Sequence, residues 1–157
     1  MKANLAFPRR SAAKRATGIQ YAALPYRVSG KTVEILLVTS RRTRRWIVPK
    51  GWPIVGHRPP ACAAREALEE AGVSGEVGKI AIGHYRYVKY HRDGTGEPCK
   101  VDIFALKVTR EQTVWAEKDD RERRWCSVAE AAAAVGEPQL RHVILKFGAQ
   151  MAAVERR

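Results

Sequence analysis

Apolar and polar positions in the first third of the chain follow the pattern of β-strands. Residues 18–27 (GIQYAALPYR) and 32–39 (TVEILLVT) are rich in aliphatic and β-branched side chains, and the turn-forming pair 29–30 separates them. A basic loop follows at 40–45 (SRRTRR), and the apolar triplet at 46–48 comes directly after it. The pattern therefore predicts two strands and then a short third one.

The remainder of the chain alternates between strand and helix signals. Residues 49–60 contain four prolines and two glycines, which favours a loop. Residues 60–71 (PACAAREALEEA) predict a helix, because Pro60 suits a first turn and Gly72 is placed to end it. Mixed strands and helices of this kind indicate an α/β or α+β sandwich. The further predicted elements are strands at 77–90, 101–109 and 122–127, a polar turn at 91–98, and helices at 128–135 and 139–154.

Length and composition limit the class of protein. A chain of 157 residues with 45% apolar and 29% charged residues is typical of one folded domain, and no apolar run approaches the length of a membrane span. We expect a basic, flexible tail at 1–16, for which a mitochondrial address is the alternative, and a single domain at 17–157. The cysteines are odd in number and form no C-x-x-C pair, which indicates a reduced, cytoplasmic setting without a disulfide framework or a zinc site: Cys62, Cys99 and Cys126.

The net charge of +13 is unevenly distributed. Residues 1–50 hold 12 Lys/Arg against the single acid Glu34, whereas residues 51–157 hold 17 against 15 acids. Such a field attracts a polyanion: nucleic acid, an acidic membrane surface or a multiply phosphorylated small molecule. Ordinary surface charge on a solvated tail is the alternative.

The predicted helix carries a group of carboxylates. Glu66, Glu69 and Glu70 lie at positions i, i+3 and i+4, so they are expected to share one face and to repel each other. A hard divalent cation would relieve this repulsion, and clustered carboxylates are how proteins hold Mg²⁺ against phosphate. A solvated acidic face is the alternative. The opposite face is expected to pack on a sheet through Ala61, Ala64, Leu68 and Ala71.

The segment around this helix, GWPIVGHRPPACAAREALEEAGV from Gly51, resembles the Nudix box, G-x5-E-x7-R-E-(aliphatic)-x-E-E-x-G-(aliphatic). His57 stands where the family has glutamate, either as a plain loop residue or as an extra phosphate contact, and Ala67 is smaller than the usual aliphatic residue. Seven positions are in register: Gly51, Arg65, Glu66, Glu69, Glu70, Gly72 and Val73.

The resemblance to the Nudix hydrolase family extends over roughly residues 17–150. It implies an α/β/α sandwich with a mixed central β-sheet and a catalytic loop–helix–loop. Within the family, residues 40–53 (SRRTRRWIVPKGWP) are most similar to the diphosphoinositol polyphosphate phosphohydrolase group and its bacterial relatives. That group also hydrolyses diadenosine polyphosphates. The resemblance therefore implies a pyrophosphohydrolase acting on a polyanionic small molecule.

The same resemblance implies roles for individual residues. Glu66 and Glu70 would hold Mg²⁺, for which Mn²⁺ can substitute, together with the backbone carbonyl of Lys50. Glu69 would act as the base for the attacking water or as a further ligand, and Arg65 would orient the glutamates. Gly51 and Gly72 would be structural. Substrate phosphates would be bound by Ser40, Arg41, Arg42, Arg44, Arg45, Lys50, Lys100 and Arg121. A late acid often joins the metal in this family, and the candidates are Glu117, Asp119, Asp120 and Glu122.

Three further interpretations stay open at this point. A nucleic-acid-binding module would use the basic N-terminal third, although no RNA-binding motif is present. A Nudix fold kept as an inert ligand sensor is the second, against which the complete set of helix carboxylates argues. The third is a nucleotide substrate, which one of the tryptophans could stack against, although a strand tryptophan is more often buried in the core: Trp46, Trp52, Trp115 or Trp125.

Overall fold

The computed structural model describes residues 18–155, so the basic tail predicted at 1–16 lies outside the described residues. Between these limits, no helix is both long and apolar enough to cross a bilayer. The strands are β1 (Ile19–Ser29), β2 (Thr32–Thr39), β3 (Trp46–Ile47), β4 (Lys50–Gly51), β5 (Val73–Val77), β6 (Gly83–Tyr90), β7 (Gly96–Glu111) and β8 (Arg123–Ser127). The helices are α1 (Pro59–Ala71), α2 (Val128–Ala134) and α3 (Pro138–Glu155).

The strands form one mixed sheet. Its main order is β3-β2-β1-β7-β5, with β4 paired to β1, β6 to β7 and β8 to β2. Strands β1 and β7 are parallel, with Ala22 opposite Ile103, whereas β1 pairs with β2 in an antiparallel hairpin. The mixed sheet predicted from the sequence is thus confirmed.

Strand β2 explains why helices cover both faces of the sheet. Its side chains alternate between two buried clusters, because successive residues of a strand point to opposite faces. Ile35 and Leu37 join the cluster that contains Leu140 and Ile144 of α3. Leu36 and Val38 join the cluster that contains the alanines of α1. Helix α1 therefore covers one face and α2 with α3 the other, and this is the predicted α/β/α sandwich.

Helix α1 has sequence-encoded ends. Prolines occupy its first turn, where a missing N–H costs no helical hydrogen bond. Gly72 follows its last residue in the left-handed conformation (φ +66°), and the Gly72 N–H donates to the Leu68 carbonyl at 3.1 Å. A Cβ atom at Gly72 would come within 2.7 Å of the Trp115 ring. Glycine is thus required here for both conformation and space.

Three predicted element boundaries are wrong. The strand expected at 77–90 is two strands, because residues 78–82 separate the end of β5 from the start of β6. Strand β5 begins at Val73, and Gly75 lets it approach the Lys107 carbonyl of β7 closely, with a register shift between Ser74 and Gly75. The loop expected at 49–60 contains β4, which pairs with β1. Strand β7 begins at Gly96, so the polar turn is shorter than predicted. The pairings of β4 with β1 and of β5 with β7 depend on partners that are distant in the sequence, whereas β7 begins in a local hairpin with β6.

The predicted packing face of α1 is wrong for three of its four residues, since only Ala71 is buried against the sheet as expected. Ala61 and Leu68 are exposed, and Ala64 is only partly buried. The helix instead buries Cys62, Ala63, Glu66, Ala67, Glu70 and Ala71. The face directed at the sheet therefore includes two carboxylates, whose charge must be compensated in the interior.

Candidate active site

The carboxylate of Glu70 lies in the interior, on the sheet side of α1. Its side chain is 7% exposed. One oxygen accepts a hydrogen bond from the Lys50 backbone N–H at 3.3 Å, and the other lies 3.2 Å from an Arg121 guanidinium nitrogen. The pKa of Glu70 is raised to about 8, chiefly by burial and in part by the nearby Glu66, while Arg121 opposes the shift. The environment therefore favours the protonated acid unless more positive charge is supplied.

Glu66 lies one helical turn before Glu70 and is 5% exposed. Its carboxylate occupies the space that a side chain at position 51 would fill, since an added Cβ atom on Gly51 would overlap both the Glu66 carboxyl carbon and one of its oxygens. The carboxylates of Glu66 and Glu70 thus both lie against the backbone of β4. These hard oxygen donors suit a divalent cation such as Mg²⁺. Within residues 18–155, no group of three or more His, Cys, Asp or Glu side chains is arranged to hold a metal ion.

Glu69 is separate from this pair. Its carboxylate accepts a hydrogen bond from the Arg65 Nε at 2.8 Å. Both residues line a different hollow on the outer side of α1, with Leu68 and Trp115. The three glutamates, which were expected to share one face, therefore divide between the interior and this outer side.

A cleft of about 680 Å³ lies over the buried carboxylate of Glu70. The loop between β2 and β3 contributes several cationic side chains to its lining, and Lys50 and Gly51 contribute from β4. Most of the predicted phosphate-binding residues thus line one cavity: Ser40, Arg41, Arg42, Arg45, Lys50 and Arg121.

Arg121 is the bridge between the acidic and basic parts of the cleft. It is 9% exposed, and its guanidinium contacts Glu70, Glu117 at 3.1 Å and the Thr39 carbonyl at 3.0 Å. Lys50 is partly buried: its ammonium lies 5.0 Å from the centre of the Tyr87 ring, and burial lowers its pKa while Glu70 acts in the opposite direction. Contacts within the protein thus position both cations.

Two of the predicted phosphate contacts lie outside the cleft lining. Arg44 has a positive φ of 55° and donates to the Asp120 carbonyl at 3.0 Å. Lys100, on β7, lies 3.4 Å from Asp102 and lines a separate hollow. The two residues are directed at other parts of the surface.

Comparison with known proteins decides the family. A family model of the NUDIX domain matches residues 18–147. The chain belongs to the Nudix family. It is 38% identical over 104 residues to Nudix hydrolase 12, mitochondrial, of Arabidopsis thaliana, covering 63% of this chain and 50% of that protein. It is 34% identical over 101 residues to diphosphoinositol polyphosphate phosphohydrolase 3-beta of Bos taurus, covering 62% of this chain and 57% of that one.

The Nudix fold is also shared with solved structures. The C. elegans Ap4A hydrolase superposes with a TM-score of 0.63 at 20% identity, over 86% of this chain and 98% of that one. At this identity the likeness concerns the fold alone. The chain spans about half the length of the curated Nudix relatives described above.

Among the four acids predicted as candidate late ligands, Glu117 forms an ion pair with Arg121, which also contacts Glu70 of α1. The Glu117 carboxylate lies 3.1 Å from Arg121 and 3.4 Å from Arg41. Asp120 and Glu122 contact neighbouring elements through backbone atoms. Glu117 therefore neutralises part of the arginine charge next to Glu70. His57 is exposed, and its ring contacts the Val55 carbonyl at 3.2 Å.

Sequence reasoning missed several residues of the cleft. Tyr87, Lys89 and Arg92 line it from β6 and the turn that follows. Glu137, just before α3, also lines it, and one of its oxygens is buried without a hydrogen-bond partner among the described residues. Period-2 spacing from the buried Tyr85 would have placed Tyr87 and Lys89 on its face of β6. Glu137 belongs to no recognisable motif.

The tryptophans are engaged by cations. Arg124 lies 4.6 Å from the ring of Trp46, Lys89 lies 5.1 Å from that of Trp52, Arg123 lies 3.9 Å from that of Trp115, and Arg27 lies 4.1 Å from that of Trp125. A face covered by a cation is not free to stack on a nucleobase. This arrangement weakens the tryptophan-stacking interpretation.

The raised pKa of Glu70 implies that the stability of the fold and its response to Mg²⁺ depend on pH. The ordinary value is 4.5 and the folded value is about 8, so the folded state without metal binds this proton more tightly than the unfolded chain does. The stability from this group is fully present below about pH 4.5 and is lost as pH rises through about 8. Metal binding needs the ionised acid and releases the proton. We therefore expect the rise in Tm caused by Mg²⁺, measured by differential scanning fluorimetry, to grow between about pH 6.5 and about pH 8.5. A Mg²⁺ effect independent of pH would contradict this, and Glu70→Gln should abolish the trend.

Proposed function

We propose that this Nudix chain is a magnesium-dependent hydrolase that cleaves a phosphoanhydride bond in a highly phosphorylated small molecule, with diphosphoinositol polyphosphate as the favoured substrate. The supporting observation is the convergence of an arginine-rich loop and the buried Glu70 on one cleft. Cations attract a multiply charged substrate, and a divalent ion offsets the acids. A cytoplasmic location is part of the same proposal.

The chain's own residues have distinct proposed roles. Glu66 and Glu70 would hold the metal with the Lys50 backbone carbonyl. When bound, Mg²⁺ or Mn²⁺ polarises phosphate oxygens and lowers the pKa of a bound water. Arg65 holds the Glu69 carboxylate on the outer side of α1, so Glu69 would have to turn toward Glu66 and Glu70 to accept the proton of the attacking water or to complete the metal site. Phosphoryl transfer depends chiefly on such positioning and charge neutralisation.

The arginine loop would bind the phosphates that are not cleaved. Its ends are closed by hydrogen bonds, because the Ser40 N–H donates to the Arg45 carbonyl at 2.8 Å and the Arg45 N–H donates to the Ser40 hydroxyl oxygen at 3.1 Å. Arg41 and Arg42 project from this closed loop into the cleft lining. Guanidinium groups bind phosphate in a bidentate manner. Because the loop is already closed by its own hydrogen bonds, it loses little conformational entropy when its arginines bind a phosphate. The name of the bovine relative supports an inositol-based substrate.

Dinucleoside polyphosphates are the second candidate. Tyr90 supports them, since it lies on the cleft lining with 68% of its surface exposed. An exposed aromatic ring beside a phosphate-binding cleft can stack on a base, and such stacking contributes about 1–3 kcal/mol per base. The inositol substrate needs no such platform.

A substrate panel tests the proposal. Purified chain with Mg²⁺ is offered diphosphoinositol pentakisphosphate, diadenosine tetraphosphate, ATP and capped RNA, and released products are quantified with and without EDTA. We expect EDTA-sensitive turnover with the highest kcat/KM for the inositol compound. A preference for the dinucleotide, lost in Tyr90→Ala, supports the second candidate. Folded protein that turns over none of the four with free metal present overturns the proposal, and tight, salt-sensitive RNA binding in its place would favour a nucleic-acid module.

A further inference from the structure

The cleft has a second cationic lining that the Nudix box does not include. Lys89 and Arg92, termed here the hairpin cations, line it from β6 and the β6–β7 turn. In the sheet, β1 and β7 lie between β2 and β6, so the arginine loop after β2 and the hairpin cations reach the cleft from different sides. A ligand in this cleft therefore meets positive charge from two directions.

The turn that carries Arg92 is ordered by its own hydrogen bonds. The His91 N–H donates to the Thr95 carbonyl at 2.9 Å, and the Gly94 N–H donates to the His91 carbonyl at 3.0 Å, with Gly94 in the left-handed region (φ +86°). The Asp93 carboxylate is occupied by the backbone N–H and hydroxyl of Thr95. These hydrogen bonds order the backbone on either side of Arg92, and none of them uses its guanidinium.

Lys89 is positioned by strand alternation. Tyr85, Tyr87 and Lys89 share one face of β6, and the ladder pairs Lys89 with Glu97 of β7. The Lys89 ammonium lies 5.1 Å from the centre of the Trp52 ring. It repels the ammonium of Lys50 and contributes to the lowered pKa of that group. Two cations held near each other in this way are stabilised by an anion that both can reach.

Lys100 is the other basic residue of the same hairpin, and the resemblance assigned the phosphate contact to it. It lies on β7 opposite Arg86, pairs with Asp102 and lines a separate hollow with Arg86. Lys89 on the strand before the turn thus lines the cleft, whereas Lys100 on the strand after it does not.

We propose that Lys89 and Arg92 determine substrate specificity by binding phosphates that project away from the arginine loop. This inference rests on the proposed function. A short linear triphosphate extends from the scissile bond in one direction and engages one set of cations. A compact ring that carries phosphates around its circumference engages both sets. The hairpin cations therefore select for ring polyphosphates and against linear nucleotides.

Charge-removing variants on one hairpin test this inference. Arg92→Gln and Lys89→Gln are compared with Arg86→Gln, which removes an equal charge from an exposed residue of the same strand that lies outside the cleft lining. We expect KM for diphosphoinositol pentakisphosphate to rise about tenfold in each hairpin-cation variant, as for the loss of one charge-assisted contact, with kcat within about twofold. KM for ATP should change by less than about twofold, and Arg86→Gln should match wild type. Lys89→Arg should restore the wild-type KM, because it keeps the charge.

A binding assay separates this inference from the proposed function. Inositol hexakisphosphate is titrated into each variant by calorimetry, which requires no turnover. If wild type turns over nothing, the proposed function fails, and weaker inositol hexakisphosphate binding in Arg92→Gln still supports the hairpin cations. If wild type is active but Arg92→Gln and Lys89→Gln behave like Arg86→Gln, the inference is overturned. The same conclusion follows if Lys100→Gln alone raises KM.

Discussion

Glu70→Gln is expected to lower kcat for the inositol substrate about a thousandfold, equivalent to about 4 kcal/mol of transition-state stabilisation, while the chain stays folded. Glutamine has the shape of the acid but provides one neutral oxygen in place of a charged carboxylate, so metal affinity falls. The fold should tolerate the change because burial already raises the pKa of Glu70 to about 8, which means that the site accepts a neutral group. Single-turnover kinetics and Mg²⁺ titration calorimetry measure the two effects.

The matched control for this variant is Glu34→Gln. Glu34 also forms an ion pair, with Arg27 at 3.1 Å, but it lies on β2 away from the cleft lining. Its substitution should leave kcat unchanged within about twofold, since the pair is only partly buried and lies outside the cleft. If Glu70→Gln retains more than about a tenth of wild-type kcat with a normal Mg²⁺ affinity, Glu70 is not a metal ligand.

The sequence predicted the strands and helices whose own residues specify them, and it missed those that depend on a distant partner strand. Strand β2 was predicted with its observed bounds because aliphatic and β-branched residues fill most of it, and α1 to within one residue because proline and glycine mark its ends. Strand β5 was missed because its sequence, VSGEV, has no strand pattern, and its pairing depends on the absence of a side chain at Gly75. The close approach of the two backbones involves Lys107 of β7, which lies far along the chain from β5, so the local sequence around Gly75 does not reveal the pairing.

In the candidate active site, the sequence identified the acidic residues but not their burial. The box spacing identified the acids, but helical periodicity predicted that they would lie away from the sheet, because carboxylates are normally solvated. The structure buries Glu66 and Glu70 because Gly51 leaves room for one carboxylate and Arg121 pairs with the other. These compensating groups lie 15 and 51 positions away in the sequence. A helical wheel contains no information about them, and the same holds for the hairpin cations, which reach the cleft through the pairing of β6 with β7.

The second large effect is expected at Gly51, a residue without any functional group. A methyl side chain there would occupy the position of the Glu66 carboxylate, so that carboxylate must move. Displacement of a catalytic group by about 1 Å can cost about a hundredfold in rate, and we expect a loss of this size in kcat for Gly51→Ala. The backbone itself can accept alanine, since Gly51 is not among the residues with positive φ. Mg²⁺ affinity should fall with kcat, because Glu66 would no longer lie against the backbone of β4.

A glycine-to-alanine change elsewhere separates this effect from general destabilisation. Gly78→Ala is suited to the purpose, because the nearest atom to its added Cβ is 3.6 Å away and its φ is also not positive. It should leave both kcat and Mg²⁺ affinity unchanged. Circular dichroism of Gly51→Ala should remain that of the wild type, since β4 still pairs with β1. An active Gly51→Ala with normal Mg²⁺ affinity would mean that the position of the Glu66 carboxylate does not matter, and the proposed metal site would then have to be built from other groups.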